Sequence, residues 1–394
     1  MKIRKINAYP LNATWVKYFG GEENVPESLM HPSSNFKYSR RLGQHTTLVE
    51  VIGEDGMKGY GECFGLPDAL YSSLYVSRYF DPVLRGLDTD DPVKIWRIMM
   101  HMADGIGNTA GAMMEALSGI DTAVWDLKGK EHHLPVFSLL GGRINDKIGC
   151  YGTPVMLFSD VGKTKARAKE LLDMGFTSIK LKIGRDAKTD LENIGAVREV
   201  AGEGINLLLD MNCGYEGRLG EAIKLIRNLS GFDIYWIEEP FSPENIESYK
   251  RIRDVTDLRI AAGENSFTPN QFKRLVDSNA IDVIMPNIGR AGGVTGMSRI
   301  ARYAGEKNVL LSPHGVGSGV SIIAALNVMA AVDNPSLYEY NQLLNPLRHE
   351  ILENKILFNG SHMELPEREG LGIDISWKCV EKYIDDSWRK ISHD

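Results

Sequence analysis

From about residue 147 onward, short apolar runs alternate with amphipathic stretches. The runs at 148–151, 178–183, 205–211, 234–237, 259–262, 282–285 and 309–311 are bounded by turn residues and read as buried strands. Between them lie segments with apolar positions at helical spacing, such as 161–174 and 270–277. Six or seven strand–helix units in succession predict a parallel sheet, closed into a barrel or left open and doubly wound. The first 130 residues have another texture. Residues 2–9 and 46–51 read as strands, and Glu54-Asp55-Gly56 turns the chain back into 58–62, which predicts a small antiparallel sheet. Two helices follow. One starts at Asp90-Asp91-Pro92, acid and proline at a helix start, and runs through Ile95, Trp96, Ile98 and Met99. The other spans about 109–130 and carries Met113, Leu117, Ile120, Val124 and Leu127 at helical spacing. Strands followed by helices predict an α+β domain. The stretch from Gly20 to Pro26 reads as a mobile loop and a candidate lid.

The strand ends favour the barrel over the open sheet. Lys182, Asp210, Glu238, Glu264, Asn287, His314 and Glu339 follow one another at steps of 28, 28, 26, 23, 27 and 25 residues, by subtraction of their numbers. That interval accommodates one strand, one helix and two short loops. Polar groups at the carboxyl ends of successive parallel strands converge on one face of a barrel, whereas an open sheet gathers them at one switch point. The pattern is that of an enzyme.

Composition narrows the class. At 394 residues, 43% hydrophobic and 25% charged, the chain is long enough for more than one domain and for a large core. A net charge of −7 argues against a nucleic-acid partner, which would need a basic stripe. No apolar run approaches a membrane span, and the first residues lack a signal-peptide core, so no membrane association is expected. Cys63, Cys150, Cys213 and Cys379 lie far apart with no CxxC pair, which suits a reducing cytoplasm.

Asp210, Glu238 and Glu264 end three consecutive strands. Taken singly, each reads as an ordinary loop-end acid; brought together without a cation, they would repel one another. A hard divalent ion removes that repulsion, and ligands that offer only oxygen favour Mg²⁺, or Mn²⁺, over zinc. Lys180 and Lys182 point the same way because side chains alternate along a strand. Two ammonium groups close together and near a metal lower each other's pKa, as a neutral lysine base requires. His314 faces the lysines from across the barrel mouth and is a candidate acid or base. Glu339, if protonated, could donate to a substrate carboxylate oxygen. The other eight histidines read as surface residues.

These residues resemble the enolase superfamily, within it the mandelate racemase-like subgroup. The resemblance extends to Gly59-Tyr60-Gly61-Glu62, to the segment from Ala116 to Asp126, to Leu140-Gly141-Gly142-Arg143, to the segment from Arg290 to Gly296 and to Asn345-Pro346-Leu347-Arg348. It implies an α/β architecture: a (β/α)₇β modified TIM barrel over 131–364, under an N-terminal α+β capping domain over 1–130 that the tail from about 365 to 394 completes. It also implies a Mg²⁺-assisted removal of the proton α to a carboxylate. By position, Asp210, Glu238 and Glu264 match the metal ligands, Lys182 the base and Lys180 its helper. His314 matches the acid or base of the opposite face, and Glu339 the group beside the enolate. Asn212, His31 and Tyr38 are candidate substrate contacts. Family members of this kind form dimers or octamers, so a homo-oligomer that takes a small carboxylate substrate is expected.

One position departs from the subgroup. Its members place an aspartate at the end of the sixth strand as partner to the histidine, and here the residue is Asn287. An amide can accept a hydrogen bond from the ring but carries no charge to stabilise an imidazolium. That tilts the expectation from two-base racemisation towards dehydration of an aldonate or aldarate by Lys182. An isomerase, either an epimerase or a sugar-lactone cycloisomerase, is the alternative. A barrel that has lost catalysis and only binds is the more distant one.

Overall fold

The computed structural model describes residues 1–31, 38, 40–156, 158 and 160–391. Strands β1 (Ile3–Thr14), β2 (Gly43–Gly53) and β3 (Lys58–Cys63) pair antiparallel in that order. β1 runs five residues beyond the expected end at Tyr9, because it stays paired with β2 from Ile3 to Thr14. One face of this sheet lies on the helix Ala112–Glu131, whose burial is almost complete along its length. The approach is closest at β3. A Cβ on Gly59 would stand 2.1 Å from the Ala123 carbonyl oxygen, and one on Gly61 would stand 2.1 Å from that of Gly119. The glycines are there because no side chain fits between strand and helix. The preceding helix, Pro92–Gly105, starts as its sequence suggests: Asp91 accepts the backbone N–H of Lys94, and proline occupies the first turn.

Eight parallel strands form the second unit: β4 (Ile148–Val155), β5 (Ser178–Lys182), β6 (Asn206–Asp210), β7 (Ile234–Glu238), β8 (Ile260–Ala262), β9 (Val283–Ile284), β10 (Leu310–Leu311) and β11 (Tyr338–Asn341). Each of the first seven leads into a helix, and β11 returns to pair with β4, so the ring closes as a (β/α)₇β barrel. Leu311 bridges to Pro335 on the remaining side. The strand cores are apolar on both faces (Leu207, Leu208 and Leu209 are all fully buried), as a sheet covered by helices requires. A hairpin of β12 (Leu357–Phe358) and β13 (His362–Glu364) adds antiparallel to the start of β4. Strands this short leave no periodicity to read, and none was expected there.

The two units are pinned together by buried polar contacts. Trp125 Nε1 donates to Thr295 Oγ1 at 2.8 Å, Asp121 accepts the Thr295 N–H at 2.8 Å, and Phe64 N–H donates to the Gly289 carbonyl at 3.0 Å. The helix Trp377–Tyr383 returns to the first sheet, where Trp377 packs edge-on against Tyr9 with ring centroids 5.0 Å apart. The stretch after β1 is folded into a short helix, Trp15–Phe19, and a 3₁₀ turn, Glu22–Asn24, rather than plain coil; Glu22 there pairs with Arg40. No helix among the described residues is long and apolar enough to cross a membrane.

Candidate active site

Strand register sets the site. Lys182 stands opposite Asp210, and Asp210 opposite Glu238, so three strand ends present their side chains at one level. Ligand oxygens of Asp210, Glu238 and Glu264 all lie within 4.8 Å of one another, and all three residues are buried. Lys180 is fully buried among them: its Nζ lies 2.8 Å from Glu238 Oε1, 3.2 Å from Asp210 Oδ2 and 3.3 Å from Glu339 Oε1. Lys182 Nζ donates to Asp210 Oδ2 at 2.5 Å.

The electrostatics differ from expectation in one respect. Burial opposes the charge on both lysines, yet the carboxylates around them prevail and hold both pKa values above the ordinary range. Lys180 does lower the pKa of Lys182, as expected, but Asp210, Glu264 and Glu238 outweigh it. Asp210 is drawn the opposite way. Burial would raise it, but Lys182 and Lys180 hold it well below the usual carboxylate range. Glu238 is pushed well up by burial and by the charge of Asp210. Asp210, Glu238, Glu264 and Glu339 crowd four carboxyl groups around Lys180 and Lys182, an excess of acid that a divalent cation would relieve. Glu264 Oε2 is buried without a hydrogen-bond partner, and an acceptor left bare in this way suits an ion. The donor set, all oxygen, fits Mg²⁺ or Mn²⁺.

Asn287 and His314 meet, but with the opposite polarity to that expected. Asn287 Oδ1 accepts the Gly289 N–H at 2.9 Å, and its Nδ2 faces the carbonyls of His314 (3.3 Å) and Val316 (3.0 Å). Those partners fix the amide orientation, since carbonyls only accept and an N–H only donates. The same Nδ2 lies 3.0 Å from His314 Nδ1, so the amide donates to the ring and does not accept from it. The ring proton therefore sits on Nε2. Burial lowers the pKa of His314 despite Glu264 and Glu339 nearby, which keeps the ring neutral. His314 Nε2 stands 3.4 Å from Glu264 Oε2 and 3.9 Å from Glu339 Oε2. Glu339 also departs from the protonated donor that was expected. Burial would raise its pKa, but Lys180, Lys182 and the hydrogen bond it accepts from the Gly315 N–H at 3.0 Å hold it below the ordinary range.

A cavity of about 330 Å³ opens over these groups. Its barrel side presents Lys182, Asn212, Glu264, His314 and Glu339; its cap side presents Arg40, Arg41, His45 and Phe64. Asn212 joins the site, with Nδ2 at 3.4 Å from Glu264 Oε1. His31 and Tyr38 are not among the lining residues, and Tyr38 is exposed. His45 corrects the reading of the other histidines as surface groups: it is largely buried in the cavity wall, and its pKa is lowered by burial and by Arg41. Two further residues had no assigned place. Arg290 stacks on the Phe64 ring at 3.8 Å and donates to the Glu264 carbonyl at 3.2 Å, which steadies that ligand's backbone. Asn341 lies two residues beyond Glu339 on β11, and strand alternation alone could have put it on the same face.

Comparison with known proteins places this geometry. Residues 28–141 match the mandelate racemase / muconate lactonizing enzyme N-terminal domain, and residues 163–379 match the enolase C-terminal domain-like family. The chain is 33% identical over 362 residues to D-galactarolactone cycloisomerase of Agrobacterium fabrum, covering 89% of this chain and 93% of that one. It is 30% identical over 350 residues to arabinonate dehydratase of Saccharolobus solfataricus, covering 87% and 92%. Among solved structures, the 3,6-anhydro-D-galactonate cycloisomerase of Zobellia galactanivorans superposes with a TM-score of 0.85 at 32% identity, covering 98% of this chain and all of that one.

Proposed function

Because the chain belongs to the mandelate racemase / muconate lactonizing enzyme family of the enolase superfamily, we propose that it is an acid-sugar dehydratase working with a divalent cation. It takes the proton α to a carboxylate and expels the β-hydroxyl, leaving a 2-keto-3-deoxy acid. The observation that carries this reading is the Asn287 amide hydrogen aimed at His314 Nδ1. A ring held with its proton on Nε2 cannot accept a second proton towards the substrate. One face of the site then has a base and the other only a donor, which suits elimination and not two-base racemisation.

A dication held by Asp210, Glu238 and Glu264 would polarise the substrate carboxylate and, by drawing off the negative charge around Lys180 and Lys182, free Lys182 to act as base. Lys182 takes the α-proton into the cavity, and Lys180 supplies fixed positive charge beneath it. His314 Nε2–H hydrogen-bonds the departing oxygen. The C–O bond breaks as the C=C bond forms, and hydroxide leaves on the His314 side. Lys182 gives its proton up to solvent so that water is the net product, and the enol tautomerises to the 2-keto-3-deoxy acid. Glu339 is anchored by the Gly315 N–H and by Lys180 at the cavity wall.

A second reading rests on the same histidine. A neutral imidazole N–H is a weak acid, and hydroxide is a poor leaving group, whereas a ring carboxylate departs unaided. Opening a sugar lactone by the same α-proton removal is therefore the alternative, and one relative named above is a lactone cycloisomerase.

Proton NMR in D₂O tests both, using Mg²⁺ and a panel of aldonic acids, aldaric acids and their lactones. Lys182→Ala is expected to lose α-proton exchange by about 10³-fold or more. His314→Ala should keep exchange while product formation slows. Full exchange in Lys182→Ala together with its loss in His314→Ala would reverse the assignment. A 2-keto acid formed from an open-chain acid marks a dehydratase; one formed only from a lactone marks a cycloisomerase.

A further inference from the structure

The cap side of the cavity holds a charge that the chain does not balance. Arg41 lies just before β2 and is only 7% exposed. Its Nε donates to the Gly43 carbonyl at 3.3 Å, its Nη2 donates to Gln44 Oε1, and its guanidinium lies over the Trp15 ring at 5.7 Å. Gln44 and Trp15 are themselves tied to the Leu344 carbonyl, at 3.3 and 3.0 Å, so the wall that holds the guanidinium is built from both domains. Among the described residues no carboxylate pairs with Arg41. Nor does one pair with Arg348, the other buried guanidinium of this region, which rests 5.9 Å from the Tyr340 ring with its Nε unpartnered. Burial and the charge of Arg348 together pull Arg41 down to about 10. A buried cation without a counter-ion is costly unless a ligand supplies one.

Arg41 also opens onto the same cavity as Lys182 and His314. The cavity thus has two ends. At the barrel end carboxylates and lysines surround the reacting centre; at the cap end Arg40, Arg41 and His45 present only positive or neutral groups. Arg40 is exposed and already paired with Glu22, which leaves Arg41 as the uncommitted charge.

We infer that Arg41 is a specificity-determining residue that binds a second carboxylate at the far end of the substrate, so that the enzyme takes a sugar diacid or its lactone in preference to the corresponding monoacid. This inference rests on the proposed function of the site. A guanidinium presents a planar fork that matches a carboxylate, and a site built around such a charge rejects the neutral hydroxymethyl end of an aldonate, which would leave the cation buried and bare.

The test compares kcat/KM for matched pairs, galactarate with galactonate and glucarate with gluconate, each with its lactone, in the wild-type enzyme and in Arg41→Gln and Arg41→Lys. The wild type is expected to favour the diacid by about 100-fold. Arg41→Gln should remove most of that preference, read as the ratio of kcat/KM for the diacid to that for the monoacid. Arg41→Lys should restore part of it. Equal wild-type rates on mono- and diacids, or an unchanged ratio in Arg41→Gln, overturns the inference while leaving the dehydratase reading intact. Exchange with none of the acids overturns the reading and the inference together. Preference for a 6-phosphorylated aldonate over the diacid assigns the far end to phosphate and overturns the carboxylate. Should the variants fail to fold, adipate and hexanoate as inhibitors of the wild type decide: adipate is expected to inhibit about 10-fold more tightly, and equal inhibition refutes the second carboxylate site.

Discussion

A single amide sets the polarity of the catalytic histidine. Asn287 Nδ2 shares its two hydrogens among His314 Nδ1 and two carbonyls, so it sets the ring's tautomer and fixes the loop that carries it. Asn287→Asp should reverse the tautomer: a carboxylate would accept from Nδ1–H and leave Nε2 free to take a proton. The variant is expected to wash deuterium into both configurations at the α-carbon, which NMR would show as a new epimer. It should also lose about 1–3 kcal/mol of stability in a urea melt, since the carbonyls of His314 and Val316 would face an acceptor. No new epimer in a folded variant would show that the tautomer does not decide the outcome. The candidate residues at this scale were legible because charged groups at strand ends are exceptional. Their protonation was not. The charge on Lys180 depends on Glu238, Asp210 and Glu339, which arrive from 30 to 159 residues away, by subtraction, and no local pattern encodes that balance.

At the scale of elements, one carboxylate fastens a helix from another domain. Glu62, at the end of β3, accepts from Thr46 Oγ1 and Ser318 N–H at 2.7 Å each, from Ser321 N–H at 2.9 Å and from Ser318 Oγ. It caps the helix Gly319–Ala330 at the end where the backbone dipole favours negative charge, and so holds the loop between His314 and that helix. Glu62→Gln puts an NH₂ against at least one of these donors. We expect a loss of about 2–3 kcal/mol in urea unfolding and faster amide hydrogen exchange over residues 315–318. Unchanged exchange there would mean that the loop holds itself. The barrel strands were legible from apolar runs between turn residues, and the long helix 112–131 from its periodicity. The full length of β1 was not, because pairing with β2 extends it through residues whose own propensity is weak. Nor was the burial of His45, which only the meeting of cap and barrel creates.

For the molecule as a whole, the seam between the units carries its own pH dependence. Asp121 is buried on the cap helix against Thr295 of the barrel, one of its oxygens has no partner, and burial pushes its pKa up to about 7. A raised folded-state value means that the stability it lends is complete below the unfolded value near 4 and lost as pH climbs through 7. Asp121→Asn does not titrate. Its melting temperature relative to wild type should therefore rise between pH 5 and pH 8, by the equivalent of about 2–3 kcal/mol at most. A difference that stays flat across that range would place the proton elsewhere. The (β/α)₇β architecture was readable from the spacing of strand ends, but the seam was not, because its partners lie 174 residues apart. That seam also divides labour. Lys182, His314 and the acidic triad stand on the barrel, while Arg41, His45 and Phe64 reach the cavity from the cap. Selection and chemistry are thus inherited on separate pieces of the chain, so variation confined to residues 40–45 could redirect the enzyme to a new acid while the proton-transfer apparatus passes unaltered from ancestor to descendant.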